Sequence, residues 1–106
     1  MQIREEFLVF ENTNTPFDYE IDTLSSDLLK LQIVGEGDCL IKVLAKLTNS
    51  DDYSPVAIID DKTFDMLDNI TKTGLYTISV TGYKKIKISI QSVVNTLKCT
   101  AAEVDE

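Results

Sequence analysis

The sequence predicts an all-β protein, an antiparallel β-sandwich of seven to nine short strands. Short segments in which apolar and polar residues alternate recur along the chain, as is typical of strands with one buried face. Turn-forming segments separate them at intervals of roughly 8–12 residues, the spacing found in sandwiches and barrels. The 106 residues include only two prolines and four glycines, which argues against a linker. We therefore expect one domain over residues 1–106, with a jelly-roll or immunoglobulin-like arrangement.

The first half of the chain predicts four strands, at residues 3–10, 17–22, 28–34 and 39–48. The segment GEGD, residues 35–38, supplies two glycines, which tolerate the positive φ of a tight hairpin, and so predicts that the third and fourth strands pair. In the fourth strand every second residue is apolar, so one face is fully apolar: Ile41, Val43, Ala45 and Leu47.

The second half begins with a short β-rich run at residues 56–60. In the following segment, residues 61–73, Phe64, Leu67 and Ile70 recur at a spacing of three. This spacing allows at most one short helical turn near 63–70, and an irregular crossover fits equally well. A last strand is predicted at 97–102, followed by a charged tail that we expect to fray.

The segment GLYTISVTGYKKIKISI, residues 74–90, has the clearest strand pattern in the chain. Apolar and polar residues alternate, the pattern breaks once at TGYK, and then it resumes. This pattern predicts a hairpin that lays its aliphatic residues against an opposing sheet. Each inward Ile or Val should contribute about 1.5–3 kcal/mol by burial, so the segment supplies a large part of the core.

Charge and composition exclude several classes of partner. The net charge is −8, and a field of this sign repels both a phosphate backbone and an anionic membrane, so we expect neither nucleic acid nor membrane as partner. The N-terminus lacks a basic stretch followed by a long apolar one, and no window approaches 18 apolar residues. We therefore expect synthesis and folding in the cytoplasm.

The residue types needed for common catalytic sites are scarce. The chain has no histidine, which removes imidazole bases, Ser-His and Cys-His nucleophiles and the common zinc sites. No glycine-rich loop links a strand to a helix, so nothing predicts a nucleotide site. We expect no enzyme and no cofactor. We predict that the two cysteines, Cys39 and Cys99, act as small buried hydrophobic residues. A disulfide between the sheets is the alternative.

Acidic and aromatic residues supply the candidate ligand sites. Asp60, Asp61 and Asp65 are candidate calcium ligands, because hard cations take several oxygens from one loop, although the EF-hand spacing is absent and turn formation explains the same residues. Tyr53 and Tyr83 fall in predicted loops, where amphipathic rings could bind a glycan or anchor a turn.

Leu40 and Leu44 are the candidate interface residues. They share the second face of the fourth strand with Lys42 and Lys46, which makes this face half apolar. Exposed apolar patches often mark contacts between subunits, and cover by the N-terminal segment is the alternative. We expect contact with other proteins or with further copies of this chain in a homo-oligomer.

Residues 38–102 resemble a β-sandwich module of tailed-bacteriophage and prophage virion proteins. The resemblance lies in three stretches, GDCLIKVLAKLTNSDDYSPVAIID, GLYTISVTGYKKIKISI and TLKCTAAEV. The strand and turn match at Gly74, Tyr76, Ile78, Val80 and Gly82, and the return strand matches at its three isoleucines, Ile86, Ile88 and Ile90.

This resemblance implies a non-enzymatic structural or assembly component of a phage or prophage particle. The implied roles are a head decoration or fibre protein, or a tail or baseplate accessory, assembled into the particle as a symmetric oligomer. The alternative function is a small β-sandwich that binds carbohydrate or a cell surface through Tyr53 and Tyr83.

Overall fold

The computed structural model describes residues 2–23 and 27–105, and this part of the chain contains ten strands and no helix. The predicted all-β class is therefore confirmed. The predicted domain also includes residues 1, 24–26 and 106, which lie outside the described residues. The strands are β1 (Gln2–Glu11), β2 (Phe17–Asp22), β3 (Leu28–Gly35), β4 (Leu40–Lys46), β5 (Ser54–Pro55), β6 (Ile58–Asp60), β7 (Met66–Leu67), β8 (Gly74–Ser79), β9 (Lys85–Ser92) and β10 (Leu97–Asp105).

The strands form two antiparallel sheets, as expected for a sandwich. The larger sheet has the order β1-β10-β3-β8-β6-β7, and the smaller has the order β2-β9-β4-β5. The strand number exceeds the predicted seven to nine because β5 and β7 contain only two residues each, too few to show a period in the sequence. No helical turn forms at 63–70 in the described chain, where a turn and the short strand β7 are found. The described residues include no helix that could cross a membrane.

The predicted hairpin at 74–90 is wrong in its pairing and right in its buried face. Strand β8 pairs with β3 and β6 in the larger sheet, whereas β9 pairs with β2 and β4 in the smaller sheet. The connection between them crosses from one sheet to the other through Gly82, whose φ is 89°. Alternation determines which side chains are buried, and it is compatible with either arrangement, because the two strands can share a sheet or face one another across the core.

The predicted hairpin at GEGD is wrong for the same reason. Strand β3 belongs to the larger sheet and β4 to the smaller one, so residues 35–38 also cross between sheets. The requirement for glycine is nevertheless real at Gly35, which has φ 116°. A Cβ at this position would lie 2.1 Å from the backbone oxygen of Thr96. Glycine therefore permits a close approach of two backbones as well as a positive φ.

The inward faces of the strands form one core between the sheets. The isoleucines of β9, Ile86, Ile88 and Ile90, are at most 1% exposed, and Tyr76 and Ile78 of β8 are buried on the opposing sheet. These burials confirm the predicted faces. Leu47 departs from the prediction and is 63% exposed, because β4 ends at Lys46 and the chain turns before Leu47 can reach the core.

Two strands differ from simple alternation or from their predicted length. Val9 and Phe10 are adjacent and both buried, because the register between β1 and β10 shifts between Leu8 and Phe10. Such a shift, a β-bulge, turns successive side chains to the same face. Strand β10 continues to Asp105, where a fraying tail was predicted, since it is paired with β1 on one side and β3 on the other and buries Val104.

Replacing Ile88 by alanine should cost about 2–5 kcal/mol in the free energy of unfolding, because the side chain is fully buried between two sheets. The matched control is Ile3→Ala, which removes the same atoms from a side chain that is 55% exposed. We expect the control to stay within about 0.5 kcal/mol of the parent in urea unfolding. Equal effects of the two changes would contradict the assignment of β9 to the core.

Candidate functional site

The outer face of the four-stranded sheet carries a ladder of charged side chains. Strand β2 contributes carboxylates and its neighbour β9 contributes ammonium groups. Lys85 lies 3.6 Å from Asp22, and Lys87 lies 4.0 Å from Asp18, measured from Nζ to a carboxylate oxygen. These pairs keep the face hydrated and protect the sheet from stacking on another apolar surface. Because β2 is an edge strand, the face is acidic along that edge and basic towards β4.

Tyr53 lies on this face and is held by both kinds of charge. Its hydroxyl donates a hydrogen bond of 3.0 Å to Glu20 Oε1. The Nζ atoms of Lys87 and Lys46 lie 4.3 Å and 4.9 Å from the centre of its ring, within the range of cation–π interactions. Burial, the hydrogen bond to Glu20 and the charge of that carboxylate raise the pKa of Tyr53 to about 12. The ring is thus a neutral, positioned group, and a sugar stacking on it would have to displace an ammonium group.

Tyr83 occupies the connection between β8 and β9. Its backbone N–H donates to Val80 O at 3.0 Å, and its carbonyl accepts a hydrogen bond from the Thr23 hydroxyl. The ring lines a shallow groove of ≈ 410 Å³ together with Lys46, Leu47 and the loop before β5. The two candidate tyrosines therefore share Lys46 as a neighbour, and Tyr83 combines a turn-anchoring backbone with an exposed ring.

Leu40 and Leu44 project from the outer face of β4, as the alternation predicts. We call the alternating residues Leu40, Lys42, Leu44 and Lys46 the β4 strip. Both leucines are half-buried, and Leu44 lies opposite Lys87 on one side and Pro55 on the other. The strip presents apolar and basic groups in turn, so it stays a candidate interface.

Of the three candidate calcium ligands, Asp60 and Asp61 use their carboxylates in the structure of a turn, whereas Asp65 contributes its backbone N–H. Asp60 Oδ1 accepts a hydrogen bond of 2.9 Å from the Lys62 backbone. Asp61 forms an ion pair of 3.3 Å with Lys30 and accepts a hydrogen bond of 2.6 Å from Thr77. The Asp65 backbone N–H donates to the Thr63 hydroxyl. Within residues 2–23 and 27–105, no group of three or more Cys, Asp or Glu side chains is placed to hold a metal ion.

The same segment exposes two large apolar side chains whose exposure the sequence pattern does not predict. Phe64 is 79% exposed and Met66 is 73% exposed. We call Phe64, Asp65, Met66 and Asp68 the β6–β7 tip. Phe64 has φ 63°, a left-handed conformation that is costly for a bulky residue, and its N–H donates to Asp60 O at 2.8 Å. The spacing of Phe64 with Leu67 and Ile70 allowed one helical turn or an irregular crossover, and it carried no prediction that Phe64 is exposed.

The cysteines are free thiols in the core. Cys39 lies immediately before β4 of the smaller sheet, and Cys99 lies in β10 of the larger sheet. Burial, followed by the nearby Cys39, raises the pKa of Cys99 to about 12, and burial also raises the pKa of Cys39. The prediction that both cysteines are small buried hydrophobic residues is confirmed. Neither thiol is activated for nucleophilic attack.

No family model and no curated protein matches this sequence. Solved structures that share the fold include SPBc2 prophage-derived protein YomS, which aligns with a TM-score of 0.81 over 93% of this chain and 90% of that one, at 17% identity. PBSX exported protein XepA aligns with a TM-score of 0.82 over 93% of this chain, at 16% identity. This chain corresponds to only 37% of the length of XepA. The predicted resemblance to a β-sandwich module of prophage proteins is therefore confirmed at the level of the fold.

Replacing Phe64 by glycine should raise the free energy of unfolding by about 0.5–1 kcal/mol, because glycine adopts the left-handed conformation without the steric cost that phenylalanine bears. The matched control is Asn12→Gly, at φ 57°, where asparagine already tolerates this conformation and we expect a smaller change. Chemical denaturation measures both. A destabilised Phe64→Gly protein would show that the ring packs on the domain.

Alkaline pH should destabilise the fold through Cys99. Its folded pKa of about 12 lies above the ordinary cysteine pKa of 9.0, so the folded state holds a proton that the unfolded state releases. The stabilisation is complete below pH 9 and is lost as the pH rises towards 12. Unfolding free energies measured across this range should fall less steeply for Cys99→Ala than for the parent. Rapid reaction of both native thiols with Ellman's reagent at pH 8 would contradict the burial that this prediction requires.

Proposed function

We propose that this chain is a non-enzymatic structural or assembly component of a phage or prophage particle. The observation that carries the proposal is the likeness of nearly the whole chain to two proteins named as prophage products, one of them of similar length. The same fold can carry many functions, so the proposal also depends on the side chains at the surface of this chain. The implied positions in the particle are a head decoration, a fibre, or a tail or baseplate accessory.

The chemistry of the side chains supports a structural role. The chain has no histidine, and both thiols are buried with raised pKa values. The carboxylates of Asp60 and Asp61 are used in hydrogen bonds and in the ion pair between Asp61 and Lys30. Tyr53 is fixed as a neutral phenol. These groups stabilise connections and faces of the sandwich, which is what a rigid building block requires.

The partners that fit this role are other particle proteins or further copies of the chain. The net charge of −8 disfavours DNA and anionic membranes as binding surfaces. The β4 strip and the β6–β7 tip offer apolar residues for protein contacts. We place synthesis in the bacterial cytoplasm and the final location in the assembled particle. The word "exported" in the name of XepA describes that protein, of which this chain corresponds to a part.

Density-gradient purification of the particles from an induced lysate tests the proposal. We expect peptides of this chain in the particle fraction, in constant ratio to the other particle proteins, and immunogold labelling at one site on the particle. A cytoplasmic host enzyme followed through the same gradient controls for contamination. Recovery of this chain only in the slowly sedimenting fraction, beside particles that are complete without it, would overturn the proposal.

A further inference from the structure

Two surfaces of the chain carry the same pattern with opposite charges. The β6–β7 tip combines exposed Phe64 and Met66 with the carboxylates of Asp65 and Asp68. The β4 strip combines half-buried leucines with two ammonium groups. Each surface therefore offers two apolar and two charged side chains, and the charges of one surface complement those of the other.

The charged groups on both surfaces form no ion pair with the described residues of the domain. Among the described residues, Lys85 and Lys87 of β9 each lie within 4.0 Å of a carboxylate of β2, whereas Lys42 and Lys46 of the neighbouring strand lie within that distance of none. The carboxylates of Asp65 and Asp68 likewise form no ion pair in the described part of the chain. All four groups therefore keep a charge that no ion pair in the described residues neutralises, and the Lys46 ammonium also lies 4.9 Å from the centre of the Tyr53 ring.

The backbone conformation of Phe64 indicates that its exposed side chain has a function in binding. A bulky residue in the left-handed region costs free energy, and the domain recovers little of it by burial because 79% of the side chain is exposed. Large aromatic and methionine side chains are enriched at the centres of protein interfaces, where they fill apolar surfaces of a partner. Phe64 and Met66 thus resemble anchor residues that lack their partner surface.

We propose that the β6–β7 tip of one copy docks on the β4 strip of a second copy. Two chains with a net charge of −8 repel each other at long range, and a local contact between opposite charges opposes this repulsion. The tip and the strip provide it, since Asp65 and Asp68 meet Lys42 and Lys46 while Phe64 and Met66 cover Leu40 and Leu44. The contact joins two different patches. It deepens the proposed function, because it assigns the surface through which a particle component binds its own copies.

Sedimentation equilibrium of the purified chain at low salt tests the contact with charge-reversal variants. Lys42→Glu with Lys46→Glu, and separately Asp65→Lys with Asp68→Lys, should each weaken self-association by about tenfold or more. The second variant is less negative than the parent, so general charge repulsion predicts stronger association for it and the proposed contact predicts weaker association. The variant with all four changes should recover the affinity of the parent, and so should an equimolar mixture of the two double variants.

Phe64→Gly tests the apolar part of the same contact. It keeps the left-handed backbone and should weaken self-association by about tenfold. The matched control is Leu8→Ala, at a side chain that is 53% exposed on the six-stranded sheet, and this change should leave association unaltered. Circular dichroism and thermal melts verify that every variant is folded.

Three results would overturn the inference: a parent that stays monomeric up to about 1 mM, association that increases in the Asp65→Lys, Asp68→Lys protein, or a fourfold variant that fails to regain affinity. These measurements use the isolated protein. If the chain associates as described but is absent from particles, only the proposed function fails.

Discussion

Each of the strands β3, β4, β8 and β9 has one apolar face, and a single sheet cannot remove that face from water. A second sheet has to cover it, and the chain meets this constraint by moving repeatedly from one sheet to the other. The isoleucines of β9 pack from the smaller sheet against a core whose other wall includes Tyr76 and Ile78 of β8. Crossings such as the one at Gly35, where two backbones approach too closely for a Cβ, allow consecutive strands to face each other. Stability, topology and the outward surfaces all follow from this arrangement.

The residues outside the core are then available for charge and contact chemistry. On the smaller sheet, the acids of β2 neutralise the lysines of β9, and Tyr53 is fixed between Glu20 and two ammonium groups. The β4 strip lies beyond this ladder and keeps its positive charge. At the edge of the larger sheet, the β6–β7 tip includes Met66 of the outermost strand, and the exposed Phe64 side chain does not belong to the core. A building block with a rigid interior and two unlike contact surfaces is consistent with the particle role proposed above.

The faces of the strands could be predicted from the sequence because side-chain direction in a strand has a period of two. The leucines of the β4 strip and the inward isoleucines of β9 lie where alternation placed them. Pairing could not be predicted, since the backbone groups of β8 are chemically the same whether they bond to β9 or to β3. The contact of Tyr53 with Glu20, 33 positions apart, and the left-handed backbone of Phe64 also depend on the tertiary arrangement. Spacing in the sequence carries no signal for either.

Backbone NOEs in a labelled sample test the central claim, that β8 and β9 face one another from different sheets, most directly. The account predicts cross-strand contacts that join Leu31 to Tyr76 and Val43 to Ile88, because β8 pairs with β3 and β9 with β4. It also predicts side-chain contacts, without backbone hydrogen bonds, between the inward residues of β8 and β9. A ladder of backbone contacts running directly from β8 to β9 across the turn at Gly82 would contradict it.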